Sequence, residues 1–410
     1  MRDAWREVPP TAGLPLQWRD FDPRCKQPPL EEALAAFLGV PSVQIECSGT
    51  AALVIALTTL KRYSIRRSVI LPAYTCPLVA LAVLHCGLKP LLCDLEPGTF
   101  EFHAPALARL FGSDVLAIIA THLGGRFCDL VPLISAARRC GAFVIEDAAQ
   151  SLGASRRGVK AGTMGDIGVF SLAAGKGLTL YEGGALVAND SDLRQALQKT
   201  SAELAPYPAS WEWRRSLQLV GYGLFYRPAM LRFVYGAPLR RALRKGRVIE
   251  AIGDDFSSTI PLHRVGAFRR NIGARAVQRL PSFLDALAMH AAIRRRILQS
   301  IPEMTVIGDA DYTRGTWPFF MVIMPSSEAR NRALDQLWTA GVGVTRLFIH
   351  ALPDYPSLQG QLGAYDVPNA RDFASRMLTI SNSPWLLEKD FHQICSVLAN
   401  AAGSSLANSR

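Results

Sequence analysis

At 410 residues the chain is long enough for two domains with substantial cores. Its 49% hydrophobic and 19% charged residues match a globular protein and exclude a disordered one. The net charge of +11 is concentrated locally, because residues 211–247 carry nine Arg and Lys against the single acid Glu212. Basicity of that kind gives no ground for nucleic-acid binding by the protein as a whole.

The eight cysteines form no CxxC pair, and several lie in apolar runs. They read as reduced, mostly buried thiols rather than disulfides or zinc ligands. The opening MRDAWREVPP lacks an apolar core of signal-peptide length. No apolar run reaches the ~18 residues of a spanning helix. The expected compartment is the cytoplasm.

In chain order, residues 1–29 read as a proline-rich extended arm. Residues 30–39 predict a short helix stopped by Gly39. A strand at 43–45 runs into Ser48-Gly49-Thr50, which opens a helix reaching about Arg62. Strands then alternate with helices: strands at 68–72, 91–94, 115–121 and 143–146, helices at 77–85, 104–111 and 130–140. Such alternation predicts an α/β fold with a mostly parallel sheet flanked by helices. Residues 190–202 predict a helix. Residues 203–264 break the pattern with an aromatic and basic insertion. From Leu280 a linking helix leads into a smaller α+β domain, 265–410, with strands at 304–307, 318–323 and 342–347 and helices at 329–340 and 389–400. The closing GSSLANSR reads as a disordered tail. Residues 30–202 form the large domain of this scheme.

The informative stretch is 143–184. An apolar run ends in Glu146 and Asp147. A second run, Ile167 to Leu172, leads to Lys176 between small residues, and Gly183-Gly184 opens another strand. In parallel sheets, ligands sit at the carboxyl ends of strands. An acid at one such end and a lone lysine after another suit pyridoxal phosphate (PLP). The lysine holds the cofactor as a Schiff base and the acid partners its ring nitrogen. Upstream, a strand followed by Ser-Gly-Thr at a helix start makes an anion site, since free N–H groups and the positive dipole end point the same way. From local pattern alone a plain helix cap with a glycine nearby explains Ser48 better than an anion site does.

With these pieces placed, the chain resembles the DegT/DnrJ/StrS family of PLP-dependent sugar aminotransferases, of fold-type I architecture. The resemblance is carried by SGTAAL (48–53), LPAYT (71–75), THLGG (121–125), IEDAAQSLGA (145–154), GDIGVFSLAAGKGLT (165–179) and EGG (182–184), in that order. It covers roughly 30–200 and, more loosely, 265–400. It implies Lys176 as the Schiff-base lysine, Asp147 at the ring nitrogen and Gln150 beside the ring oxygen. Ser48, Gly49, Thr50 and Ser171 are implied at the phosphate. It further implies a homodimer, an amino acid donor such as glutamate, and a keto-sugar acceptor, nucleotide-linked, in surface-polysaccharide or secondary-metabolite biosynthesis.

Three departures stand out. Cys76 occupies the position where the family places an aromatic residue over the cofactor ring, with Tyr74 two residues away as a substitute. His122-Leu123-Gly124-Gly125 lacks the family's tyrosine. The loop by which the family reaches its partner's phosphate site has only Arg269-Arg270-Asn271 as a counterpart. Two other functions share the pattern: a deoxysugar dehydratase, which Lys176 argues against, and a non-catalytic PLP-binding regulator, which Cys76 leaves open. In 211–247, Trp211, Trp213, Phe225, Tyr226, Phe233 and Tyr235 alternate with arginines. That stretch reads as a lid over an anionic substrate, a face for an anionic membrane, or a solvated surface.

Overall fold

A computed structural model describes residues 6–254, 256 and 259–407. The chain enters as an extended arm, as expected, but not as an exposed one. Val8, Ala12, Leu14 and Leu16 are buried, and the arm is pinned at three distant points. Val8 N–H donates to Gly341 O (2.9 Å), Ala12 N–H to Pro318 O (2.9 Å) and Leu14 N–H to Gly177 O (3.4 Å).

Helix α1 (Leu30–Leu38) ends at Gly39, whose φ of 73° is the left-handed cap a glycine supplies cheaply. Then follow β1 (Gln44–Glu46), α2 (Gly49–Arg62), β2 (Ser68–Pro72), α3 (Pro77–His85), β3 (Lys89–Cys93), α4 (Ala104–Leu110), β4 (Val115–Thr121), α5 (Leu130–Cys140) and β5 (Phe143–Asp147). The short strands β6 (Ser155–Arg156) and β7 (Val159–Lys160) make a hairpin, before β8 (Ile167–Ser171) and β9 (Gly184–Val187) return to the main sheet. That sheet has the order β1-β9-β8-β5-β4-β2-β3. It is parallel from β8 to β3, and β9 runs antiparallel to both neighbours. Strands β2 and β4 are buried along their whole length, which is why they read as unbroken apolar runs.

After α6 (Ser191–Leu204) the irregular region proves to be a helical insertion. It comprises α7 (Ala209–Phe225), α8 (Pro228–Leu231), a π-helical turn at Arg232–Gly236, α9 (Ala237–Arg244) and α10 (Val248–Ile252). Helices α11 (Ala267–Ala276) and α12 (Leu280–Gln299) lead to the second sheet. Its members are β10 (Thr305–Val306), β12 (Phe319–Ile323), β14 (Met377–Ser381) and β13 (Val344–Thr345), while β11 (Thr313–Arg314) pairs instead with the β6–β7 hairpin. Helices α13 (Ser327–Leu337), α14 (Pro368–Arg376) and α15 (Glu388–Ala407) complete the chain. The pattern reading passed over β14, although it pairs with both β12 and β13. The expected disordered tail is helical as far as Ala407, and the last three residues lie outside the described ones.

Candidate active site

A cavity of about 510 Å³ opens where the ends of β2, β4, β5 and β8 meet the start of α2. Ser48, Gly49, Thr50, Asp147, Gln150, Ser171 and Lys176 all line it. Residues separated by more than a hundred positions thus converge on one space, as ligand sites at the ends of parallel strands require.

Neighbouring strand residues point to opposite faces, and this sorts the two acids of β5. Glu146 turns away from the cavity. Its carboxylate accepts N–H groups from Gly162 (2.8 Å), Met164 (2.6 Å) and Gly165 (2.6 Å). His122 Nδ1 accepts the Cys128 N–H (3.0 Å), so its proton sits on Nε2 and points to Glu146, 2.8 Å away. Glu146 and His122 therefore brace the loop behind the sheet. Asp147 faces the cavity, with Oδ1 accepting only the Ala149 N–H (3.1 Å) among described residues. Burial raises its pKa, while the Ala149 amide and the charge of Lys176 pull it back.

Lys176 sits on a tight turn held from outside. Gly175 lies at φ 77°. Thr11 Oγ donates to Gly175 O (2.7 Å), and Gly175 N–H donates to Tyr222 Oη (3.2 Å). The arm passes so close that a Cβ on Gly13 would stand 2.8 Å from Lys176 O. Burial lowers the pKa of the Lys176 ammonium, and the charge of Asp147 acts against that shift. The amine is thus easier to deprotonate than an ordinary lysine.

Opposite the lysine, Ser48 caps α2, its Oγ accepting the Ala51 N–H (3.0 Å). Both readings of this segment hold, because the cap spends the serine while the first-turn amides of Gly49 and Thr50 find no partner within the helix. Ser171 at the end of β8 closes the cradle, its Cβ 3.3 Å from where a Gly49 side chain would begin. On the other side, a Cβ at Gly184 would stand 2.2 Å from Ser48 O, so β9 reaches this point only as glycine. Gln150 Oε1 accepts the Gly124 N–H (2.8 Å) and so fixes the 122–125 turn at the rim.

A buried acid, a lysine with a lowered pKa and a helix start free to bind an anion are the donor set PLP needs, and the cavity has room for it. The residues present fit the cofactor.

Two expectations fail. Tyr74 does not replace the missing aromatic. It is buried away from the cavity, its Oη 3.2 Å from Phe348 O and its ring packed edge-on against Phe348 and Phe373. Cys76 does line the cavity, and burial pushes its thiol up to about 12, so it stays neutral. The aromatic groups that line the cavity are His122, Phe256, Phe319 and Phe348. Nor does Arg269 reach toward a partner. It is fully buried, forked onto Glu212 (2.6–3.1 Å) and bonded to Glu182 O, because a guanidinium taken from water needs a carboxylate. Arg270 is likewise paired, with Glu31 (2.8 Å).

Residues from the end of the insertion and from the C-terminal region were missed. Ile252, Gly253, Asp254 and Phe256 form one wall with Leu347 and Phe348. Asp254 accepts from Tyr355 Oη (2.6 Å) and Ile349 N–H (3.2 Å). Its pKa is pushed up to about 6 by burial. No local motif marks this acid; only the fold brings it to the cavity. None of the nine basic residues of 211–247 lines the cavity. Arg247 alone faces a neighbouring open hollow of about 710 Å³, beside Arg346 and His350.

A family model described as the DegT/DnrJ/EryC1/StrS aminotransferase family matches residues 22–206 and 263–399. The chain belongs to this family. The match skips 207–262, the helical insertion. Among curated relatives, GDP-perosamine synthase of Caulobacter vibrioides is 39% identical over 163 residues, 40% of this chain and 44% of that protein. The chain thus spans less than half the length of that relative. The spore coat polysaccharide biosynthesis protein SpsC of Bacillus subtilis is 24% identical over 396 residues, covering 94% of this chain and 91% of that protein. Among solved structures, the PLP form of the putative sugar aminotransferase Spr1654 from Streptococcus pneumoniae superimposes with a TM-score of 0.75 at 17% identity. It covers 97% of this chain and 99% of that one, a likeness of fold.

Proposed function

We propose that the protein is a PLP-dependent aminotransferase that moves an amino group from an amino acid, glutamate, to a keto group of a nucleotide-linked sugar. The observation that carries this reading is the placement of Lys176 and Asp147 in one cavity, facing the free amides of α2. Family membership and the names of the relatives support it, the GDP of the Caulobacter protein favouring a nucleotide-linked acceptor.

The bound cofactor would supply an electron sink that stabilises negative charge at the carbon losing its proton. Lys176 would hold the cofactor, then, as a free amine, carry a proton from the donor's α-carbon and return one on the acceptor side. Asp147 would keep the ring nitrogen protonated, and Gln150 would sit beside the ring oxygen. Gly49 and Thr50 amides, with Ser171 and Ser48 at the cradle, would hold the phosphate. Phe256, Phe319 and Phe348 line the cavity and would help exclude water, and Arg346 and His350 in the neighbouring hollow would meet the acceptor's phosphates, Arg247 there being paired with Glu250 (3.2 Å). Incubating the holoenzyme with glutamate and a panel of keto-sugar nucleotides tests the reading. An aminated sugar nucleotide is expected; oxidation of glutamate with amination of none of the panel would overturn the acceptor class.

We also infer a homodimer, for which family membership is the support and light scattering the test. The 211–247 region is assigned a peripheral contact with an anionic membrane. Its charge supports this, as do Trp213, Leu217, Leu224, Phe225, Phe233 and Val234, which are all exposed. No helix among the described residues is long and apolar enough to cross a membrane. Pelleting with anionic vesicles that fades at high salt is expected; no pelleting at low salt would end the idea.

A further inference from the structure

Behind the Lys176 turn lies a second cavity, of about 520 Å³, within the range of small-molecule sites. Its floor is Thr11 and Gly175, the outer side of the turn that carries Lys176. Its walls are the insertion, chiefly Tyr222, Phe225, Leu231 and Tyr235. No charged side chain lines it. Its polar side chains are few: Tyr222 Oη accepts from Gly175 N–H, Tyr226 Oη donates to Thr11 O (3.1 Å), Gln218 Oε1 accepts from Arg215 (2.8 Å), and Tyr181 and Tyr235 add mainly ring surface. Burying a polar ligand without partners is costly, so the chemistry that fits is a hydrocarbon.

The mouth says more. Phe225 and Val234 line the cavity and are also 40% and 52% exposed, so it opens onto the apolar face of the insertion. On α7 that face is the stripe Trp213, Leu217 and Leu224, spaced as one side of a helix. Arg214, Arg227, Arg241, Arg244 and Lys245 of the same insertion are exposed. An apolar chamber in a cationic insertion is complementary to an amphiphile with a negative head. A second copy is disfavoured, because a two-fold contact through this face would set the same cations against each other. Nucleic acid would use the cations but leave six large apolar side chains in water.

We propose that one acyl chain of an anionic phospholipid lodges in this cavity when the insertion lies on a membrane. The proposal rests on the membrane contact inferred for 211–247. The chain would pack against the outer side of Gly175, which Thr11 and Tyr222 hold in place, so the lipid would touch the support of the catalytic turn without entering the active site.

The test uses holoenzyme with two probes: vesicles of phosphatidylcholine doped with phosphatidylglycerol, and dioctanoyl phosphatidylglycerol kept below its micelle concentration, followed calorimetrically. A Cβ at Gly221, which lines the cavity, would meet only Phe225, at 3.9 Å, so Gly221→Leu adds bulk there from an open start. The proposal predicts pelleting with vesicles and one saturable site for the short-chain lipid. Gly221→Leu should weaken that site by about tenfold or more at unchanged melting temperature. Trp213→Ser with Phe233→Ser should weaken pelleting and leave the short-chain site intact. Vesicle binding without a saturable site, or equal binding of dioctanoyl phosphatidylcholine, overturns the cavity assignment and leaves the membrane contact standing. No pelleting removes the membrane contact itself. A dimer that dissociates in the Trp213→Ser, Phe233→Ser variant assigns the face to a second copy instead.

Discussion

The cofactor cradle and the helical insertion solve opposite problems with the same residue types. In the cradle, Asp147 and Lys176 are drawn out of water and form no salt bridge among the described residues, so each is perturbed and available. In the insertion's root, charges are drawn out of water and fully spent. Arg269 forks onto Glu212, and Arg215 and His263 converge on Glu182. Buried ionisable groups that lack a dedicated partner mark chemistry, and those that have one mark attachment. Glu182, which local sequence suggests is a turn acid, belongs to the second kind. Burial alone would raise its pKa, but His263, Arg215 and Trp211 together hold it low.

Mutations should separate the two regions, and the largest effect belongs to the cradle. Lys176→Ala should lower turnover by roughly 10²–10⁴-fold, the weight of a positioned proton carrier, and remove the absorbance of lysine-bound cofactor, with the melting temperature kept. Loss of stability with retained turnover would break the contrast.

Glu212→Gln is the reverse experiment. It leaves the buried Arg269 unpaired and should cost about 3–5 kcal/mol in denaturant unfolding, with cofactor absorbance retained in the folded fraction. Asp147→Asn keeps shape and removes charge. The loss of one charge-assisted hydrogen bond, about 1.5–3 kcal/mol, should appear as a ten- to hundredfold fall in kcat with little change in stability.

A smaller effect concerns pH. Burial alone would lower the His263 pKa, but its hydrogen bonds and the nearby Glu182, 3.4 Å away, raise it to about 9. A histidine whose folded pKa exceeds its unfolded value stabilises fully below about 6.5, and that contribution is lost as pH rises through about 9. The melting temperature should therefore fall between pH 7 and 10 by more in the wild type than in His263→Gln. Smallest of all is Trp213→Ser, whose exposed indole should change stability by less than ~0.5 kcal/mol.

The same contrast explains what was legible in the sequence. The cradle could be read because strand ends and helix starts are local events: an apolar run that stops at an acid, a small-residue turn around a lysine, a glycine pair. Five residues named that way, Ser48, Gly49, Thr50, Asp147 and Lys176, meet in one cavity with Gln150 and Ser171, which only the family resemblance implied. Asp254 and Phe256 could not be found so, since nothing beside them in sequence signals a cavity whose lysine, Lys176, lies 78 positions before Asp254. The direction of Tyr74 was equally hidden, being set by Phe348 and Phe373 from the far end of the chain. Helix spacing in 211–247 was visible, but which aromatics turn inward was not. Tyr222 and Tyr226 stack on each other beside the Lys176 turn, while Trp213 and Phe233 face out.

A single-turnover reaction tests the central claim most directly. Holoenzyme mixed with excess glutamate and no acceptor should release one equivalent of 2-oxoglutarate per chain, with a matching change in cofactor absorbance, and Lys176→Ala should release it at least about a hundredfold more slowly. An unchanged spectrum with no keto acid released, from glutamate or any other amino donor, would contradict the assignment.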